Sequence, residues 1–356
     1  MEASAFEKEL QKKTAFAEKV LREHLPEEEG PQKMIMEAMN YSLMAGGKRL
    51  RPILMWETYR MCGGEPGEAI GHFMAAIEMI HTYSLVHDDL PAMDNDSYRR
   101  GRETTWYVYG EAMGILAGDG LLNYAFETAA RAVQDYAACG TGLSGADSQG
   151  KLSDAERLAG MERAARALAV LSGKAGIYGM IGGQAVDVME EKGWEPIGRK
   201  ANGEGAAWAA ADLAEGSAGA ADSAGPDSMD AGSRLLFIHA HKTAALIEAS
   251  MMVGAILAGA SGQQVKDIEK CAYNLGIAFQ IQDDILDVVG DSQELGKPVG
   301  SDAQNHKQTY VTLKGLEAAG SQVEALSREA AAILDGFEGE HAFLKQLILN
   351  LIHRRK

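Results

Sequence analysis

Cysteine is scarce in this chain, and its placement excludes two architectures. Cys62, Cys139 and Cys271 are odd in number and far apart, which offers neither a disulfide framework nor a zinc-ligand spacing. Eight prolines in 356 residues leave long uninterrupted stretches, and aromatics make up only 6% of the chain. With alanine, methionine and leucine abundant, a mostly helical protein is expected. Positive charge is also in short supply. A net charge of −17 argues against non-specific nucleic-acid binding and against a basic membrane anchor. The longest apolar run, Ala249 to Ala260, is too short to span a bilayer. The first residues lack the basic and apolar regions of an export signal, so a cytoplasmic protein is expected. What remains is a chain that is 46% hydrophobic and long enough for one large core.

The chemistry-bearing stretch is His87-Asp88-Asp89-Leu90-Pro91-Ala92-Met93-Asp94-Asn95-Asp96, which follows an apolar helical run and leads into Arg99-Arg100 and Arg102. Pro91 disfavours helix at Leu90, so the helix from Glu68 should stop near the aspartates and Asp94 should reach back by a loop. So many carboxylates at one helix end repel one another unless a cation sits among them. Hard divalent ions take oxygen ligands, and Mg²⁺ completes its shell with water and phosphate oxygens. The arginines add forks suited to phosphate. For an isolated Asp-Asp pair a solvated acidic turn would be the plainer reading. A second cluster far along the chain changes that.

Upstream, residues 5–25 read as an amphipathic surface helix, and Met34 to Met44 as a second helix ending at Gly46-Gly47. Lys48-Arg49-Leu50-Arg51-Pro52 follows, where two glycines let backbone approach a bound anion, although a basic helix start fits the same residues. On a helical wheel His81 and Asp88 lie about 20° apart, on one face. Downstream, Gly110 to Ala132, Ala155 to Leu171, Lys174 to Val188, and Leu235 to Ala260 read as helices. Gly182-Gly183-Gln184 and Asp187 are read as permitting close helix packing. Residues 195–233 form an alanine- and glycine-rich stretch that from Ala201 to Ser233 lacks lysine and arginine; it reads as a low-order insertion, with an unstable helix around Ala206–Ala214 as the competing view.

The second cluster is Phe279-Gln280-Ile281-Gln282-Asp283-Asp284-Ile285-Leu286-Asp287. Gln280, Asp283, Asp284 and Asp287 fall at i, i+3, i+4 and i+7, a polar stripe on an otherwise apolar helix. Two acid clusters about 195 positions apart, each on an apolar helix, can face each other across a cavity, grip a diphosphate through metal ions, and leave a greasy wall for an organic tail.

These stretches, together with Gly46-Gly47-Lys48-Arg49-Leu50-Arg51-Pro52, His81-Thr82-Tyr83-Ser84-Leu85-Val86-His87 and Lys242-Thr243, resemble the trans-isoprenyl diphosphate synthases, and among them the bacterial farnesyl diphosphate synthases. The resemblance runs from about residue 30 to the C-terminus, apart from the insertion. It implies a single domain over 1–356 with an all-α fold of about ten helices around one deep cavity, usually as a homodimer. It implies Mg²⁺, three ions per site with Mn²⁺ as a substitute, held by Asp88, Asp89, Asp94, Asp283, Asp284 and Asp287. Lys48, Arg51, His81 and Arg100 would hold isopentenyl diphosphate; Arg99, Lys242 and Lys297 would hold the allylic diphosphate. The carbonyl of Lys242 and the side chains of Thr243 and Gln280 would face the allylic cation. Tyr83, five positions before the first aspartate, with Ser84 beside it, would set chain length at C15.

Ser97, Tyr98, Glu103 and Trp106 depart from the pattern usual in relatives, so substrate preference could differ. The expected reaction is 1'-4 condensation to farnesyl diphosphate, with a geranylgeranyl diphosphate synthase or a non-catalytic regulatory subunit as alternatives. A terpene cyclase would lack the Lys48-Arg51 site, and its second metal motif is not all-aspartate.

Overall fold

The computed structural model describes residues 3–138, 152–192, 230–289 and 308–352. In chain order the elements are α1 (Ala3–Glu23), α2 (Lys33–Leu43), α3 (Leu50–Met61), α4 (Glu68–Asp88), the strands β1 (Tyr98–Arg99) and β2 (Arg102–Glu103), α5 (Thr105–Tyr109), α6 (Glu111–Ala138), α7 (Asp154–Ala175), α8 (Met180–Lys192) and α9 (Ala231–Ile238). A single turn of π-helix, His239–Ala244, leads into α10 (Ala245–Ala258), and α11 (Gly262–Val289), α12 (Tyr310–Lys314), α13 (Leu316–Leu334) and α14 (Ala342–Ile352) follow. The fold is all-α, as the composition and the resemblance implied.

Two helices are apolar on every side and therefore sit inside the others. In α4, Ile70, Phe73, Met74, Ile77, Met79 and Ile80 are all buried, and in α10 the burial runs unbroken from Ala245 to Leu257. Helix α4 packs along α6, while α10 is wrapped by α3, α7 and α11. Backbones approach closely where α10 crosses α3: a Cβ on Gly254 would lie 2.3 Å from the Met55 carbonyl oxygen. Helix starts follow local chemistry. Ser153 and Glu156 cap α7 reciprocally, and Asp230 accepts from Gly232 and Ser233 at the start of α9.

The helix expected from Gly110 to Ala132 is present as α6, and Gly110, at φ 89°, separates it from the short α5, which the sequence pattern does not mark. The run from Leu235 to Ala260 is interrupted by the π-turn around Lys242. The β-hairpin, paired Tyr98 to Glu103 and turned by Arg100 and Gly101 at positive φ, has no counterpart in the sequence pattern. Lys297, most of the 195–233 stretch and Cys139 lie outside the described residues.

Candidate active site

Helix α4 stops at Asp88, as Pro91 requires, and the chain then folds back on itself. Asp94 N donates to the Asp88 carbonyl at 2.8 Å, and Asp96 N donates to the Asp89 carbonyl at 3.1 Å. Asn95 takes the left-handed conformation (φ 57°) that asparagine tolerates. The loop brings Asp94 beside Asp88. Burial pushes the Asp88 carboxyl up to about 6, with Asp94 and Asp89 adding to the rise and Lys242 opposing it. Asp89 and Asp94 are also raised, each chiefly by desolvation. Asp89 is held by Arg99, whose Nε donates to Oδ1 at 2.6 Å.

The neighbouring helix α8 carries polar groups to this end of α4. Gln184 Nε2 donates to Asp88 Oδ1 at 2.7 Å. One turn further, Asp187 accepts from Lys242 Nζ. Gly183 makes this possible, because a Cβ there would lie 2.3 Å from the Lys242 backbone nitrogen. Next to Lys242, Thr243 Oγ1 donates to Gln280 Oε1 at 2.9 Å. Gln280 stands one turn before Asp283 and Asp284 on α11, where Asp284 and Asp287 are buried and Asp284 Oδ2 accepts from Tyr310 N at 2.7 Å. Three hydrogen-bonded pairs, Asp88–Gln184, Asp187–Lys242 and Thr243–Gln280, thus step from the first acid cluster by way of α8 and the π-turn to the helix of the second.

The donor set suits a hard divalent cation: every side-chain group offered by the two clusters is a carboxylate oxygen, with no thiolate among them. Among the described residues no three acidic, histidine or cysteine side chains are gathered tightly enough to hold an ion, and Arg99, Gln184 and Lys242 take up the charge and hydrogen bonds of the first cluster.

A group of cations converges around His81, which shares the Asp88 face of α4. Gly46 and Gly47 have positive φ, and Arg100 Nη1 donates to the Gly46 carbonyl where a Cβ on Gly47 would collide with it. Among the described residues, Arg51 Nε is buried and finds no hydrogen-bond partner. His81 is held well below the ordinary histidine value by burial and then by Arg51, Arg100, Arg99 and Arg49, so the imidazole is neutral beneath a cluster of guanidiniums. Arg51 and Arg100 are themselves lowered by desolvation. Lys48 is exposed. Arg49 is turned away from this group. Buried and in left-handed conformation, it bonds Glu78 at 2.9 Å and the Leu43 carbonyl at 2.8 Å. The remaining cationic cluster suits an anion with several oxygens.

Tyr83 is buried with its ring edge-on to His87 at 5.8 Å. Although the wheel puts it about 140° from Asp88, burial and the Asp88 charge together push its phenol up to about 12. Ser84 turns its hydroxyl onto the His81 carbonyl of its own helix, at 2.9 Å. Sequence reasoning misses Gln184 and Asp187 as site residues; two polar residues at i and i+3 after Gly-Gly are the available signal. It also marks Trp106 only as a departure.

The family model described as polyprenyl synthetase matches residues 32–193 and 206–338. Farnesyl diphosphate synthase of Geobacillus stearothermophilus is 40% identical over 303 residues, 85% of this chain and 82% of that protein. The large subunit 1 of the chloroplastic heterodimeric geranylgeranyl pyrophosphate synthase of Arabidopsis thaliana is 38% identical over 323 residues, 90% and 72% of the two chains. Among solved structures, the apo FPP/GFPP synthase of Zymomonas mobilis aligns at a TM-score of 0.71 and 27% identity, covering 99% of this chain and 100% of that one.

Proposed function

The chain belongs to the polyprenyl synthetase family of prenyltransferases, and from that premise we propose that it condenses isopentenyl diphosphate with dimethylallyl and then geranyl diphosphate to give farnesyl diphosphate. The observation that carries this reading is the set of hydrogen-bonded pairs Asp88–Gln184, Asp187–Lys242 and Thr243–Gln280, which supports a site shared by the two acid-bearing helices. On this reading the whole chain acts as one synthase domain, and 195–233 is an insertion in it.

Asp88, Asp89 and Asp94 on one side and Asp283, Asp284 and Asp287 on the other would hold Mg²⁺, which when bound supplies charge neutralisation for the departing diphosphate. Lys242 and Arg99, already balancing Asp88, Asp94 and Asp89, would turn to the allylic diphosphate, with Lys297 as a further candidate. Lys48, Arg51, Arg100 and neutral His81 would bind the second diphosphate, and the unpartnered Nε of Arg51 supports an anion there. After ionisation the alkene of isopentenyl diphosphate attacks C1 of the allyl group, and a proton leaves to the released diphosphate. Thr243 gives its only proton to Gln280, so its oxygen keeps lone pairs for the cation. The π-turn suits a carbonyl aimed at that cation, since it shifts the regular carbonyl pattern around Lys242. Apolar walls keep water from quenching the cation.

Tyr83, bulky and buried one and a half turns below Asp88, supports a C15 floor. A geranylgeranyl product is the second reading, favoured by the relatives that bear that name, such as the synthases of Catharanthus roseus and Cyanophora paradoxa. Retention of both acid clusters speaks against a non-catalytic subunit. A homodimer is supported by the exposed Tyr107 and Val108 of α5 and Ile115 and Leu116 of α6. No helix among the described residues is long and apolar enough to cross a membrane. The test is incubation with isopentenyl diphosphate, dimethylallyl or geranyl diphosphate and Mg²⁺, followed by separation of products by length. Absence of any condensed product would overturn the proposal.

A further inference from the structure

The loop that carries Asp94 is closed at its base and braced from behind. At its base, Asp96 N reaches the Asp89 carbonyl at 3.1 Å. Behind it, the Asp96 carbonyl accepts two hydrogen bonds, from Thr104 Oγ1 at 2.8 Å and from Trp106 Nε1 at 2.9 Å. A carbonyl oxygen has two lone pairs, so both are used. The donors come from one short structure. Thr104 N bonds the Ser97 carbonyl at 3.0 Å as the chain leaves the β-hairpin, and Trp106 lies in the first turn of α5. The indole is fixed in turn. Gly114 of α6 leaves it room, since a Cβ there would sit 2.9 Å from Trp106 Cβ, and the ring of Tyr107 stands edge-on to it at 5.7 Å.

The brace matters because the loop it closes is under electrostatic load. Asp88, Asp89, Asp94 and Asp96 lie within nine residues, and like charges so close push the loop open. Asp94 N bonds the Asp88 carbonyl, and Met93 N and Asn95 N on either side both bond the Leu90 carbonyl. Releasing Asp96 would loosen the open side of this loop and with it the seat of Asp94. An indole N–H donates and never accepts, so Trp106 cannot reverse its role when charge at the site changes.

We propose that Trp106 is a positioning residue for the first acid cluster, its indole N–H acting with Thr104 on the Asp96 carbonyl to keep the Asp94 loop folded toward Asp88, so that less rearrangement is needed when a divalent cation draws the carboxylates together. This inference rests on the prenyltransferase reading and deepens it. It also gives a use to three of the departures: Tyr98 OH donates to Glu103 Oε1 across the hairpin at 3.3 Å, and Trp106 supplies the indole donor.

The experiment compares the full-length protein with Trp106→Phe, which keeps an aromatic ring and loses the donor, and with Thr104→Val, which removes the other donor at nearly constant volume. Each is dialysed to equilibrium against Mn²⁺ and inorganic pyrophosphate, and the metal retained with the protein is measured. Loss of one neutral hydrogen bond should weaken retention about three- to tenfold in either variant. In steady-state assays the Mg²⁺ activation constant should rise by a similar factor while kcat at saturating Mg²⁺ stays near the wild-type value; a merely structural defect would lower kcat with the fraction folded. Wild-type retention in both variants, or a fall in kcat with an unchanged activation constant, overturns the brace. Should Trp106→Phe fail to fold, Thr104→Val decides through the same carbonyl. If the wild-type protein itself retains no metal with pyrophosphate, the metal-dependent reading fails, and the brace with it.

Discussion

Gln184 donates from Nε2 to Asp88 Oδ1 at 2.7 Å, so helix α8, which belongs to neither acid cluster, holds the leading carboxylate of the first. A neutral amide at position 88 would keep that bond through its own oxygen. Asp88 has its carboxyl raised from 3.8 to about 6, chiefly by burial. A raised folded-state value means its contribution to stability is fully present below about pH 4 and lost as pH rises through 6. Asp88→Asn should therefore gain on the wild type between pH 4 and 6, levelling above that at roughly 1–2 kcal/mol after allowance for solvent screening. Activity should fall about 10²–10⁴-fold at the same time. Urea midpoints at pH 4 and pH 7.5 without metal check the first claim; an equal gap at both values sinks it.

Tyr83→Ala removes a buried ring that meets His87 edge-on at 5.8 Å. The space below the first acid cluster deepens, so products longer than C15 should appear, with C20 prominent. Chromatography of the mutant's products decides: a distribution still ending at C15 would mean another side chain forms the floor. Some stability is lost as well, about 3 kcal/mol by analogy with other large aromatic truncations.

Much of this site is legible in the sequence because its signals are local. Pro91 ends α4 beside Asp88, and the i, i+3, i+4, i+7 spacing of Gln280, Asp283, Asp284 and Asp287 stripes one helix. What the sequence hides depends on contacts between elements distant along the chain. Gln184 and Asp187 look like packing residues because their partners, Asp88 and Lys242, are far away in sequence. The π-turn at Lys242 has no hydrophobic signature, since one extra residue in an apolar helix leaves the composition unchanged. Arg49 receives no role from the sequence, and only the fold shows its guanidinium on Glu78. Trp106 stands out as a departure, but only the folded loop brings its N–H to Asp96.

Arg49 and Glu78 form an ion pair with both side chains buried. Removing one partner strands the other charge in the core. Glu78→Ala should cost about 3–5 kcal/mol, visible as a lower denaturant midpoint, and Glu78→Gln should cost less because an amide oxygen still accepts. Equal losses in the two variants would show that packing, rather than charge, sets the cost.

At the crossing of α3 and α10, Gly254 leaves no room for a methyl group against the Met55 carbonyl. Gly254→Ala gains helix propensity of about 1 kcal/mol, yet must separate two packed backbones, for which overpacking costs of about 1–3 kcal/mol are usual. The net change should be destabilising and read as a fall in melting temperature; a rise would mean that α10 can shift freely against α3.

His81 stays neutral, its value depressed first by burial and then by the charges of Arg51, Arg100, Arg99 and Arg49. A depressed histidine contributes stability that is present above its unfolded value of about 6.5 and lost as pH falls below it. The His81 contribution should therefore shrink on acidification past 6.5, opposing the Asp88 trend, and His81→Gln should remove that part of the pH dependence. Binding reverses the local balance. A diphosphate among the guanidiniums cancels the field that expels the proton, so His81 should take one up as the anion arrives, and binding should carry a proton uptake that grows as pH falls from 7.5 toward 6. Calorimetric heats of inorganic pyrophosphate binding, measured in buffers of different ionisation enthalpy, report that number directly. Comparing the wild type with His81→Gln removes the ligand's own ionisation from the difference. Identical uptake in the two proteins would place the bound anion away from His81 and break the assignment of Arg51 and Arg100 to the second diphosphate.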